Sequence, residues 1–96
     1  MTIEKNVTGN ETTLILKGWL DTQAASDLAS TFDDLGEGTE HLVLDLEGLE
    51  YISSSGVRQV VAAHKKMGGN LVIRKTPDSI FNVFKAIGID KKVKFE

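Results

Sequence analysis

The first eight residues show the two-residue alternation that is typical of a half-buried β-strand. Ile3, Lys5 and Val7 alternate with polar residues, and a second strand is expected from Thr12 to about Trp19. Between them lies Gly9-Asn10, a pair that favours tight turns. The pattern predicts two strands joined as an antiparallel hairpin, with the first strand half-buried at an edge of a sheet.

Three later segments carry apolar residues at the three- and four-residue spacing of amphipathic helices. Asp21 or Thr22 is placed to cap the first helix, and Thr76 is expected to cap the third, with Pro77 at its first helical position. Gly88 is expected in the left-handed conformation that ends a helix. The apolar stripes are Ala25, Leu28, Ala29, Phe32 and Leu35; Val57, Val60, Val61, His64 and Met67; and Ile80, Val83, Phe84 and Ile87.

Short apolar runs separate these helices. Residues 42–46 and 71–73 are nearly continuous in apolar character, which is typical of parallel strands covered on both faces. Val93 and Phe95 suggest a last short strand. The order is therefore ββαβαβαβ, with right-handed crossovers. We predict one α/β domain over residues 1–96, with a mixed, mostly parallel sheet, an N-terminal antiparallel hairpin and helices packed on the sheet.

Composition and charge argue against several classes of function. The net charge of −3 offers no basic face for a phosphate backbone, so direct nucleic-acid binding is not expected. The chain has no cysteine, which removes disulfides and thiolate chemistry and fits a cytoplasmic protein. The first residues lack the apolar core of a signal peptide, and no apolar run approaches the roughly 20 residues that span a bilayer. We therefore expect no membrane insertion.

Catalytic patterns are weak. His64 follows Ser55 by nine residues on one predicted helix, a rise of about 13 Å, which is too far for a base that activates a nucleophile. His64 also falls on an apolar stripe, where a packed core histidine is the favoured interpretation, and His41 is expected in solvent. Asp33 and Asp34 are neighbours that point in different directions. We expect no catalytic residue, no metal and no cofactor.

The chemistry-bearing residues collect instead at the carboxyl ends of the predicted parallel strands, where sites of open α/β sheets lie. Residues 47–56 lead from a buried strand into a helix start and contain three successive serines, Ser53, Ser54 and Ser55. The simplest interpretation is that one serine caps the helix while the others fill a solvated turn. The alternative is a phosphoacceptor, because a helix N-terminus favours the charge of about −1.5 to −2 on a phosphate.

Four segments together resemble the STAS domain, and within that family the bacterial anti-sigma factor antagonists. They are residues 18–21, 44–58, 70–73 and 84–89, and the resemblance covers essentially the whole chain. It is strongest at Ser53-Ser54-Ser55-Gly56, which is similar to the family's Asp-Ser-Ser-Gly. Serine stands here in place of the aspartate.

The resemblance implies a phosphorylation switch. Such antagonists bind an anti-sigma factor, which is itself a serine kinase with a histidine-kinase-like ATPase fold, and thereby free a sigma factor. The kinase phosphorylates the serine before the glycine and so breaks the complex, which a serine phosphatase restores. By position the acceptor is Ser55, with Ser54 as second choice. The implied partner surface consists of Asp21, Ser53, Ser54, Ser55, Gly56, Val57 and Arg58.

Tyr51 and Ile52 precede this surface and are expected to pack beneath the loop. Two other classes stay open. One is a STAS interaction subunit that is not phosphorylated, in a stress-signalling or lipid-transport assembly. The other is an enzyme or an aspartyl-phosphate receiver, which is less favoured because Asp21 stands alone where a receiver has an acidic pair.

Overall fold

The strands and helices follow the predicted order ββαβαβαβ. The computed structural model describes residues 1–36 and 38–96. A short 3-10 turn, Ile89–Lys91, precedes the last strand. The elements are β1 (Thr2–Thr8), β2 (Glu11–Leu20), α1 (Thr22–Asp33), β3 (His41–Ile52), α2 (Ser54–Lys66), β4 (Leu71–Arg74), α3 (Asp78–Ala86) and β5 (Lys94–Phe95).

The five strands form one sheet in the order β1-β2-β3-β4-β5. β1 and β2 pair antiparallel, and the other neighbours pair parallel. The predicted mixed sheet with an N-terminal hairpin is therefore confirmed. Since each parallel strand is added beside the preceding one, right-handed crossovers place all three helices on the same face.

The core lies between that face and the helices. Leu14 and Leu16 on β2 are fully buried, whereas Thr13 and Ile15, which point the other way, are half-buried. β4 alternates in the same manner. β3 differs, because the consecutive residues Leu42, Val43 and Leu44 are all buried, so the expected burial on both faces holds for β3 and not for β4. On the second face, Val43 is 3% exposed and lies between Thr13 of β2 and Val72 of β4 in the register.

The helix faces differ in detail from the predicted stripes. In α2 the buried positions are Gly56, Val57, Val60 and Ala63, so the buried face is rotated away from His64, which is half-buried. The predicted core histidine is thus at the margin of the core. In the α3 segment Ile80 and Phe84 are buried, but Ile87, at the C-cap beyond the last helical residue, is 57% exposed.

The predicted caps are partly confirmed. Asp21 caps α1, and Gly88 has the left-handed φ of 81°. Thr76 does not cap α3. That helix begins at Asp78, and Pro77 holds the cap position with its carbonyl accepting from the Phe81 amide at 2.8 Å. In the described part of the chain, no helix is long and apolar enough to cross a membrane.

Candidate functional site

The carboxyl ends of β2 and β3 bring two helix starts to one edge of the sheet. Leu20 and Ile52 are partners in the parallel register, and the Ser53 amide donates to the Leu20 carbonyl at 2.8 Å. Asp21 and Ser53 come directly after these strand ends and are the N-caps of α1 and α2. The two helix N-termini therefore lie side by side.

Each cap uses its side chain in the same way. Asp21 Oδ1 accepts from the Ala24 amide at 2.9 Å, and Ser53 Oγ accepts from the Gly56 amide at 3.1 Å. Both residues have extended backbone conformations, as N-caps require. Serine and aspartate are both preferred caps, so the serine at position 53 keeps α2 capped where the resembling family has aspartate.

Ser54 and Ser55 are the first two residues of α2. Ser54 is exposed and Ser55 is half-buried. Their amides belong to the first turn, where N–H groups lack intrahelical acceptors and the helix dipole favours an anion. The Ser53 hydroxyl is bound in the cap, whereas those of Ser54 and Ser55 stand where an added negative charge is tolerated by the helix.

Gly56 sets how closely α2 approaches the sheet. A Cβ at this position would lie 2.7 Å from Leu20 Cγ and 3.0 Å from Ile52 Cγ1, closer than real side chains pack. The neighbouring Val57 is only 5% exposed. Of the predicted partner surface, Asp21, Ser54 and Arg58 are exposed, Ser53 and Ser55 are half-buried, and Gly56 and Val57 support the others from beneath.

The expected loop before the serines is a strand. β3 continues to Ile52, paired with β2 across two register shifts, between Ile15 and Lys17 and between Gly18 and Trp19. This continuation corrects the prediction that Tyr51 packs in the core, whereas Ile52 is buried as expected.

Trp19 and Tyr51 form an exposed aromatic pair at this edge. The two residues are partners in the register, and their ring centroids lie 5.1 Å apart. They are 58% and 42% exposed. Sequence reasoning missed this pair. Successive side chains of a strand point to opposite faces, so in Trp19-Leu20 and in Tyr51-Ile52 only one residue can face the core. Leu20 and Ile52 are the buried residues, which leaves the two aromatic side chains on the other face.

Two carboxylates share one lysine after β4. Lys75 Nζ lies 3.5 Å from Glu47 Oε2 and 3.9 Å from Asp45 Oδ2, and Lys75 has a left-handed φ of 56°. The side chains of Lys75 and Glu47 are 55% and 72% exposed, so their pairing contributes little to stability, whereas the side chain of Asp45 is only 15% exposed. The described residues contain no group of three His, Cys, Asp or Glu placed to hold a metal ion. This edge presents serine hydroxyls, two helix caps and charged side chains.

The fold and this edge define a small α/β domain that presents serines at a capped helix start. The chain belongs to the STAS domain family, because the family model described as "Mlab, STAS domain" matches residues 3–94.

Solved structures share the fold over nearly the whole chain. The unphosphorylated form of the anti-sigma factor antagonist SpoIIAA is 18% identical, with a TM-score of 0.79 over 99% of this chain and 87% of that one. The phosphorylated form of the Bacillus cell fate determinant SpoIIAA is 18% identical, with a TM-score of 0.78 over 99% and 91%. An anti-sigma-factor antagonist (STAS) domain protein from Planctomyces limnophilus is 19% identical, with a TM-score of 0.78 over 98% and 87%.

Proposed function

We propose that this chain is an anti-sigma factor antagonist switched by serine phosphorylation. Its unphosphorylated edge binds an anti-sigma factor that is a serine kinase with a histidine-kinase-like ATPase fold, and this binding frees a sigma factor. The observation that carries the proposal is the pair of helix starts capped by Asp21 and Ser53, with Ser54 and Ser55 in the first turn of α2. The chain acts in the cytoplasm as a binding module and not as an enzyme.

Ser55 is the acceptor and Ser54 the second choice. The bond from Ser55 Oγ to the γ-phosphorus of the kinase's ATP forms as the bond to ADP breaks, and the hydroxyl proton passes to the kinase. The first turn of a helix favours an anion by about 0.3–1 kcal/mol, so the phosphate leaves α2 folded. What changes is the surface, which gains bulk and about −1.5 to −2 charges beside the exposed Asp21.

The partner contacts the exposed part of this edge. Asp21, Ser54 and Arg58 offer charged and polar groups, and the half-buried Ser53 and Ser55 lie between them. Like-charge repulsion and desolvation at the centre of an interface weaken binding about tenfold for each 1.4 kcal/mol. A serine phosphatase removes the phosphate and restores binding.

The experiment is affinity capture from a lysate of the source organism with ATP present, followed by mass spectrometry of bait and captured proteins. We expect a small histidine-kinase-like ATPase in a matched capture without ATP, and with ATP the loss of most of that ATPase together with one phosphate on Ser55. Bait carrying Ser55→Ala should stay bound and unmodified, and bait carrying Ser54→Ala should be modified like the parent. Capture of a transporter or scaffold component by an unmodified bait would instead support the STAS interaction subunit that is not phosphorylated.

A further inference from the structure

An open groove of about 480 Å³ lies between α2 and the segment that follows α3. Its apolar floor includes Val61, Ile87 and Ile89, and the side chains of Arg58, Lys65 and Lys92 stand on its rim. Ile87 is 57% exposed and lies beside Val61 and Ile89 in the lining, so the groove presents neighbouring apolar side chains and not a single isolated one. The groove thus combines an apolar floor with basic walls.

The groove lies in the basic half of a strongly dipolar chain. Residues 57–96 contain nine Lys or Arg and three Asp or Glu, a net charge of +6. Residues 1–56 contain two Lys or Arg and eleven Asp or Glu, a net charge of −9. The overall charge of −3 hides this asymmetry. A field of this kind attracts an acidic partner and orients it as it approaches.

The walls of the groove favour a helix as its occupant. They come from α2 and from the turn after α3, where the amides of Lys92 and Val93 both donate to the Ile89 carbonyl at 2.9 and 3.0 Å. A docked strand would find its hydrogen-bonding partners already used. A helix satisfies its own backbone and needs only side-chain contacts.

We propose that the groove binds an acidic amphipathic helix of the partner. Arg58 and Lys65 are seven residues apart, two turns of α2, or about 10.5 Å along its axis. The docked helix therefore carries acidic residues seven positions apart that meet Arg58 and Lys65. A third acidic residue meets Lys92, and apolar side chains between them cover Ile87. The inference rests on the proposed function only for the identity of the partner.

The groove also adjoins the phosphorylation switch. Ser54 lies four residues before Arg58 and Ser55 lies three before it, so all three share one side of the helix. A phosphate on either serine competes for Arg58 and repels the acidic residue that pairs with it. Lys65 lies two turns further on and is spared, so phosphorylation removes one end of the contact and leaves the other.

The experiment uses the full chain with the photo-crosslinking residue p-benzoylphenylalanine at position 87, and a control chain with it at position 7. Val7 is 60% exposed on β1, the edge strand at the other side of the sheet from β5. After illumination of the captured complex, mass spectrometry maps the crosslinked peptide. We expect position 87 to mark a partner helix with acidic residues seven apart, and position 7 to mark nothing. A crosslinked peptide without acidic residues overturns the proposal.

Charge reversal gives an independent measurement on the purified complex. Lys65→Glu should weaken binding at least tenfold with an unchanged circular dichroism spectrum, and Lys5→Glu, on β1, should bind within twofold of the parent. If Lys65→Glu binds with parental affinity, the proposal that the groove binds the partner is wrong, even if the partner is a kinase that modifies Ser55. An acidic helix crosslinked at position 87 on a partner that is not a kinase keeps the groove and refutes the proposed function.

A sedimentation assay with vesicles tests whether the groove binds an anionic membrane surface instead of a protein helix. The parent chain and Lys65→Glu are sedimented with vesicles of phosphatidylglycerol and phosphatidylcholine in equal parts. We expect neither to bind. Sedimentation of the parent alone would assign the groove to a lipid surface and overturn the proposal.

Discussion

The Ser53 amide donates a 2.8 Å hydrogen bond to the Leu20 carbonyl, and this bond joins the start of α2 to the end of β2. The residue after Leu20 is Asp21, which caps α1. One backbone contact therefore fixes the relative position of both helix starts. The serine turn, residues 53–55, is held by the sheet and by both helix caps. A recognition surface needs this kind of support.

Gly56→Ala should disturb this arrangement directly. The added Cβ would meet Leu20 Cγ at 2.7 Å and Ile52 Cγ1 at 3.0 Å, so α2 must move outward or the core must repack. We expect a loss of about 1–3 kcal/mol in the free energy of unfolding, measured by urea denaturation. Gly36→Ala is the control, because its Cβ would meet no atom within 4 Å. Equal stability of the two variants would show that the close approach carries no cost.

Ser53 should be replaceable by aspartate but not by alanine. Its Oγ satisfies the Gly56 amide, and an aspartate at an N-cap does the same, as Asp21 does for Ala24. Ser53→Ala should lose about 0.5–2 kcal/mol of unfolding free energy, and Ser53→Asp should match the parent. Thermal denaturation of the two variants measures these free energies, with Ser54→Ala as the control. A loss as large in Ser54→Ala would contradict a specific role for the cap.

The fold could be predicted because the apolar patterns repeat at the periods of strands and helices. Leu14 and Leu16, or Ile80 and Phe84, are spaced as their elements require and are buried as expected. The position of the serine turn followed from the same pattern, since a buried strand and an amphipathic helix surround it.

Features that depend on neighbouring elements were not predictable in this way. Charged residues such as Glu47 and Glu50 interrupt the apolar run, so the second half of β3 has the composition of a loop although pairing with β2 keeps it extended. Thr76-Pro77 has the composition of a helix start, but the cap position falls on Pro77. Ile87 matches the apolar stripe of α3, yet it lies at the C-cap, beyond the last helical residue, and is exposed.

The exposed pair Trp19 and Tyr51 should matter for binding far more than for stability. Both side chains are more than 40% exposed, and aromatic contacts of this kind contribute about 0.5–1.5 kcal/mol to folding. Exposed tryptophan and tyrosine dominate many interfaces, and this pair adjoins the serine turn. Trp19→Ala should raise the dissociation constant of the kinase complex at least tenfold, measured by calorimetry. Val7→Ala, an equally exposed position near the amino end of β2, should leave it unchanged.

Ser55→Asp and Ser55→Ala should have opposite effects on the switch. A carboxylate in the first turn of α2 is favoured by the helix dipole, so Ser55→Asp should unfold at the parental denaturant concentration while its affinity for the kinase falls at least tenfold. Ser55→Ala should bind with parental affinity, and ATP should no longer dissociate the complex. The same pair of changes at Ser54 is the matched control, because Ser54 occupies the neighbouring helical position and is more exposed. If only the Ser54 variants lose the response to ATP, the acceptor is Ser54 and the half-buried Ser55 supports the turn. If ATP dissociates the complexes of both alanine variants, the switch does not act through these hydroxyls.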